Sequence, residues 1–255
     1  MVKAKLKATW LHFLFTCFIA LISAAVIFLL WYPSPYTAIS GGIGLWKILI
    51  LVELSLGPLM SLVIFNPSKS VRQLMADYSM VAVVQFGALA YGIHTLYLVR
   101  PVFMVFVKDR FELVTASDLG GSMSEAKIWR KGLSGPTLIG VRSSENAEEQ
   151  QELMFDTVSS GKDVQLRPKY YAELNSAELE KATKPVSQLV TQLNAPRFSD
   201  IRAELRQMES SYRWVPVVNG LNYWLAVLDD NLVVVKFYSV DPWELKNPSS
   251  VNPQS

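Results

Sequence analysis

Cysteine and histidine are almost missing from this 255-residue chain: Cys17, His12 and His94 are all it has. No intramolecular disulfide is available, so any exported domain must fold without that staple. The last 155 residues contain neither type, which removes zinc-finger, Cys–His and Ser–His–Asp chemistry from that part. Acid is equally scarce at the start. Residues 1–100 hold only Glu53 and Asp77 against seven basic groups, a formal charge of +5. Residues 101–255 carry 17 basic and 20 acidic groups, or −3. Such a split assigns the two parts to different surroundings. Internal repeats and low-complexity tracts are also lacking, and with 51% hydrophobic and 18% charged residues the chain is too apolar for disorder.

What is present first is membrane-length apolar sequence. Thr9 to Leu30 carries no charged side chain and covers about 33 Å as a helix, enough for a hydrocarbon core of about 30 Å. Trp10 and Trp31 with Tyr32 mark its two interfaces. A cleaved signal peptide is the competing reading because of Ser23-Ala24-Ala25, but the apolar run continues past that point, which favours an uncleaved anchor. Two further spans are expected. One covers residues 45–65, interrupted only by Lys47 and Glu53; the other covers 77–98, with Asp77 as N-cap and Arg100-Pro101 closing it. Lys3, Lys5 and Lys7 precede the first span, and Lys69 and Arg72 lie between the second and third, whereas the loop from Trp31 to Gly44 has no basic residue. The positive-inside rule then places the N-terminus in the cytoplasm, and three spans carry residues 101–246 to the far side, the periplasm in a bacterium.

The fold class expected is therefore a membrane protein with three N-terminal transmembrane α-helices in residues 1–100, an α+β extracytoplasmic domain with antiparallel sheet in 101–246, and a loose tail in 247–255. Val102–Val107 and Phe111–Val114 read as a hairpin, Thr137–Val141 as a further strand, and three β-rich runs between Trp214 and Tyr238 as a meander joined at Asn219-Gly220 and Asp229-Asp230-Asn231. Leu221, Tyr223, Leu225 and Val227 share one face of their strand and are expected to supply core. Helices are expected over Glu145–Ser159 behind Ser144, over Pro185–Leu193, and over Asp200–Glu209 behind Ser199. The acidic run from Glu145 to Glu152 reads as a solvated helix face.

Chemistry-bearing motifs are few. Gly41-Gly42-Ile43-Gly44 does not follow a strand and reads as a flexible entry to span two, not a phosphate loop. Asp229-Asp230 fits a turn, and no basic and aromatic stripe supports nucleic-acid binding. No cluster suggests a catalytic, metal or cofactor site, so no enzyme is expected. Glu53 stands out. It lies roughly 12 Å below the start of its span, where an ionised carboxylate is costly unless paired or protonated. Gly57 and Ser61 follow it at i+4 steps, a small-residue stripe that permits close helix approach, and Pro58 frees the Leu54 carbonyl. Ala88 and Gly92 make a similar stripe on span three, where Gln85 and His94 lie within about 6 Å of the depth of Glu53. Three readings stand: an acid satisfied by Gln85, His94 or a freed carbonyl that pins the spans together; a stripe that receives a helix from another membrane protein; or a proton or ion path.

The borders of the spans carry a resemblance. Trp31-Tyr32-Pro33-Ser34-Pro35-Tyr36, Gly41-Gly42, Glu53 with Leu56-Gly57-Pro58-Leu59, Phe65-Asn66-Pro67, Gln85 with Ala90-Tyr91-Gly92, Arg100-Pro101-Val102 and Asp109-Arg110-Phe111-Glu112 resemble type IV pilin accessory proteins of the TfpX/TfpZ kind. The likeness is dense over residues 30–116 and returns in Trp214-Val215-Pro216-Val217 and Asp241-Pro242-Trp243. Glu53 stands where the family leads one to expect Asp. The resemblance implies a bacterial inner-membrane accessory factor for type IV pilus biogenesis. Its partner would be the cognate major pilin, and possible further partners are other inner-membrane assembly proteins; neither cofactor nor enzymatic activity is carried over. Glu53, Gly57, Pro58, Ser61, Gln85, Gly92 and His94 become candidate contacts for the pilin's apolar helix. The alternatives are a structural or regulatory subunit of the pilus machine that never touches pilin, and an outer-leaflet transferase.

Overall fold

Residues 2–129, 134–208 and 211–246 are described by the computed structural model; the tail expected over 247–255 lies outside them. Helix α1 (Val2–Val26) continues through a π-helical stretch, Ile27–Trp31, and after the one-turn α2 (Tyr36–Ile39) come α3 (Gly42–Ile64) and α4 (Val71–Leu98). The three long helices have the length and hydropathy to cross a bilayer. α4 begins earlier than Asp77 because Ser70 forms a capping box: Gln73 N donates to Ser70 Oγ at 3.4 Å and Ser70 N donates to Gln73 Oε1 at 3.0 Å. Asp77 lies inside the helix and pairs with Lys69 at 2.6 Å.

Two units separate along the chain. The first contains α1, α3 and α4; the second contains everything from Pro101 onward together with Ser34–Ser40. That short segment, read from sequence as a loop of the membrane part, is built into the core of the second unit. Ile39 is 3% exposed among Met104, Phe106 and Phe111, Tyr36 packs on Phe237, and Asn219 Nδ2 donates to the Ile39 carbonyl at 2.7 Å.

In the second unit, β1 (Pro101–Val107) and β2 (Arg110–Thr115) form the expected hairpin, followed by α5 (Ala116–Leu119), α6 (Met123–Ala126), β3 (Thr137–Val141) and α7 (Ala147–Ser160). Then come β4 (Tyr171–Ala172), α8 (Ser176–Ala182), β5 (Lys184–Pro185), α9 (Val186–Gln192) and α10 (Ser199–Leu205). The meander β6 (Arg213–Asn219), β7 (Asn222–Leu228) and β8 (Val234–Tyr238) follows. The domain is α+β, but its sheet is mixed rather than antiparallel throughout. The order is β4-β3-β1-β2-β6-β7-β8, with β5 on β6, and the β1–β3 and β2–β6 pairs run parallel. Neither parallel pair is consecutive in the chain: β2 and short helices lie between β1 and β3, and β3, β4 and β5 with their helices lie between β2 and β6, the long connections that parallel neighbours require. β1 sits centrally with both faces covered, and its unbroken apolar run is what such a strand needs. On β7, Leu225 and Val227 pack under α9 and α10 as expected, whereas Leu221, at the hairpin tip, is 92% exposed and Tyr223 is also exposed.

Candidate functional site

α1 and α4 both pack along α3 and hardly touch each other over most of their length. They meet at one end, where Ile27, Tyr32 and Leu96 form a buried cluster and Tyr32 Oη donates to the Leu96 carbonyl at 2.8 Å. Gly42 makes this junction possible, since a Cβ there would come within 2.5 Å of the Tyr32 ring. Along the rest of their length α3 forms the floor between them.

Along that floor runs the stripe singled out in the sequence: Ile50, Glu53, Gly57 and Ser61 are the buried positions of α3, with Gly42. The stripe is not bare. His12, from α1, reaches Ser61 with Nδ1 2.6 Å from Oγ, and Gln85, from α4, is the side-chain hydrogen-bonding partner of Glu53. Both polar side chains close over Gly57: a Cβ at that position would lie 2.4 Å from Gln85 Nε2 and 2.9 Å from His12 Nε2. Ser61 is fully buried and Glu53 is 6% exposed. Gly57 and Ser61 therefore face the protein's own helices and are not open to a visitor. Gly92 is likewise occupied, by Leu49, whose Cδ1 would be 2.4 Å from an added Cβ. Pro58 lies inside α3, which continues through it.

His94 is not part of this arrangement. Nine residues at about 100° each put it on the opposite face of α4 from Gln85, and it is exposed. His12, on α1, takes its place. The signal was present: His12 is the one histidine in the apolar run of the first span, ten residues from the start of α1, and Ser61 is three from the end of the antiparallel α3.

Where α1 and α4 part, a cavity of about 530 Å³ opens along them. Leu11 and Phe15 wall it on α1, Ala82 and Phe86 on α4, and its polar lining is His12, Thr16, Glu53, Gln85 and Tyr78. Its size and its apolar walls with a few convergent polar groups are those of a binding site. A smaller cavity of about 120 Å³ lies on the far side of the Glu53–Gln85 pair, against Leu56, Met60 and Ala88.

The remaining motif positions lie at turns, caps and packing contacts. Asp109 and Arg110 pair at 2.9 Å beside the β1–β2 turn, where Lys108 takes a positive φ, and Arg110 lies 5.0 Å over the Trp243 ring. Phe111 is fully buried. Arg100 stacks 3.5 Å over Tyr97, Trp31 packs edge-on against Tyr97, and Pro101 opens β1. Pro33 and Pro35 flank the entry to α2, Gly41 caps α3 in the left-handed region, and Asn66 Oδ1 accepts from Ser68 N at 2.9 Å beside Pro67. No group of His, Cys, Asp and Glu among the described residues is arranged to hold a metal ion.

Residues 1–41 match the family described as fimbrial assembly protein FimB. The chain is 30% identical over 248 residues to "Fimbrial assembly protein, serogroup E1" of Dichelobacter nodosus, covering 94% of this chain and 96% of the relative. To the serogroup I protein of the same organism it is 29% identical over the same shares. To the serogroups C1 and C2 protein it is 33% identical over 113 residues, 44% of this chain and 86% of the relative. No solved structure matches.

Proposed function

The chain belongs to the fimbrial assembly protein family, and from that premise we propose that it serves fimbrial assembly by holding a pilin subunit in the membrane before polymerisation. The groove between α1 and α4 takes the subunit's apolar helix. One observation carries this reading: the two outer helices pack on the central one with little contact between themselves and leave an apolar cleft of about 530 Å³ with Glu53, His12 and Gln85 among its lining. A peptide entering hydrocarbon must satisfy its backbone internally, so a protein guest in this cleft is a helix, laid in as in other helix-in-groove complexes. The buried polar base offers hydrogen bonds that lipid chains cannot use. The span borders resemble those of pilin accessory proteins of the TfpX/TfpZ kind, and that resemblance supports pilin as the guest. The basic residues at the start of α1 and between α3 and α4 support an inner-membrane orientation with the N-terminus cytoplasmic and the second unit periplasmic. The role is one of binding, without a reaction catalysed.

Co-purification from membranes tests it. Cognate pilin should accompany the wild-type chain, and filling the groove with Ala82→Trp should lower the yield roughly ten-fold, as expected when a helix is denied its seat by overpacking. Val83→Trp, on the outward face of α4 where Val83 is 74% exposed, should leave it unchanged. Equal yields from the two variants, or no pilin with the wild type, would count against the groove.

A further inference from the structure

α7 leaves an apolar patch on the surface. Three of its four carboxylates pair with the domain: Glu149 with Arg142 at 2.7 Å, Glu152 with Lys169 at 3.3 Å and Asp156 with Arg167 at 2.5 Å. At about 100° per residue the opposite face carries Met154, Phe155 and Val158, which are 64%, 67% and 87% exposed. No residue of the helix is buried. Three neighbouring apolar side chains held outward by three ion pairs on the reverse side form a surface with a use.

We propose that this face pairs with α7 of a second copy of the chain, the two helices antiparallel about a two-fold axis between Met154 and Phe155. The charges decide the occupant. Among the described residues, neither Glu148 near the start of α7 nor Lys162 just past its end enters an ion pair, and both are exposed. With the axis between residues 154 and 155, Glu148 of one copy falls opposite about position 161 of the other, beside Lys162, and the pair forms twice. Antiparallel helix dipoles favour the same arrangement. A lipid surface fits poorly, because helices that lie on membranes carry Lys and Arg beside their apolar face, and this one has neither type in its length and carries Glu148 there instead. One helix face per copy falls short of the roughly 800 Å² per partner of a standard interface, so the association is weak in dilute solution and strengthened where a membrane confines the copies.

The test uses the full chain in membranes with Cys17→Ser and one added cysteine. Phe155→Cys should form an intermolecular disulfide on mild oxidation, while Leu221→Cys, at the exposed hairpin tip, should not. Adding Glu148→Lys to Phe155→Cys should lower the disulfide yield roughly five-fold, since two symmetric pairs become repulsive, and adding Lys162→Glu as well should restore it. Positions 148, 155, 162 and 221 are all exposed, and unchanged protein level and proteolysis pattern verify the fold. Equal yields at 155 and 221, no disulfide at 155, or a yield indifferent to the charge reversals would overturn the pairing. The result is independent of whether pilin occupies the membrane groove.

Discussion

His12 on the first long helix and Ser61 on the second share a hydrogen bond of 2.6 Å, and Gly57, one turn away from Ser61, leaves room for the imidazole to reach it. A side chain from α1 thus locks onto the same stripe of α3 that α4 engages through Gln85. Double-mutant analysis in membranes or detergent should detect that lock. His12→Phe and Ser61→Ala should each destabilise the helices, and their combination should cost less than the sum by about 0.6–1.7 kcal/mol, the range for interhelical hydrogen bonds in bilayers. Strict additivity would mean that the contact contributes nothing.

Gly57 should tolerate no branched side chain. Gly57→Val must displace both the Gln85 amide and the His12 ring, separating two polar pairs at once, and overpacking of this kind costs about 1–3 kcal/mol. Thermal stability in detergent is the readout. Gly44→Val, where an added Cβ meets nothing within 4 Å, is the matched control and should be near neutral.

Ile39 should behave as a core residue of the domain that begins at Pro101. Ile39→Ala removes a side chain 3% exposed and should cost about 2–5 kcal/mol. The loss should appear as faster proteolysis within residues 101–246, with the long helices of the first unit unaffected. A domain indifferent to this substitution would refute the account of the 34–40 segment.

Glu112 should make the domain less stable as pH rises. Burial pushes its carboxyl up to about 7; neighbouring Asp163 and Asp109 add to the rise and Arg110 opposes it. Below about pH 4.5 the folded and unfolded chains both hold the proton and no penalty arises. Between about 4.5 and 7 the unfolded chain releases it first, so stability falls with increasing pH, by up to about 3 kcal/mol once both forms are ionised. Chemical denaturation at pH 5 and pH 8 should show this slope in the wild type and its loss in Glu112→Gln.

Much of this molecule was legible in its sequence where a single segment decides its own state. The uncharged run from Thr9 to Leu30 needs only a bilayer to explain it, Thr137–Val141 is a strand as read, and Asn219-Gly220 turns the meander. What escaped depends on partners. Nothing in β1 or β3 alone announces that they run side by side in parallel. Ile39 belongs to a core whose other members begin 65 residues later. His94 has the depth of Glu53 but lies on the far side of the helix circumference, while His12 meets Ser61 only through the antiparallel pairing of α1 and α3. The acidic run from Glu145 to Glu152 is solvated as read, with Glu149 and Glu152 also pairing with Arg142 and Lys169; what it does not announce is that Met154, Phe155 and Val158 beyond it are exposed as well.

The seat of the pilin helix is the central claim, and site-specific photo-crosslinking in living cells tests it most directly. A photoreactive residue at Phe15 or Phe86, on the two walls of the groove, should yield an adduct with the cognate pilin. The same probe at Val63 or Val83, outward positions 75% and 74% exposed, should give only lipid. Pilin adducts at the outward positions and none at the walls would contradict the account.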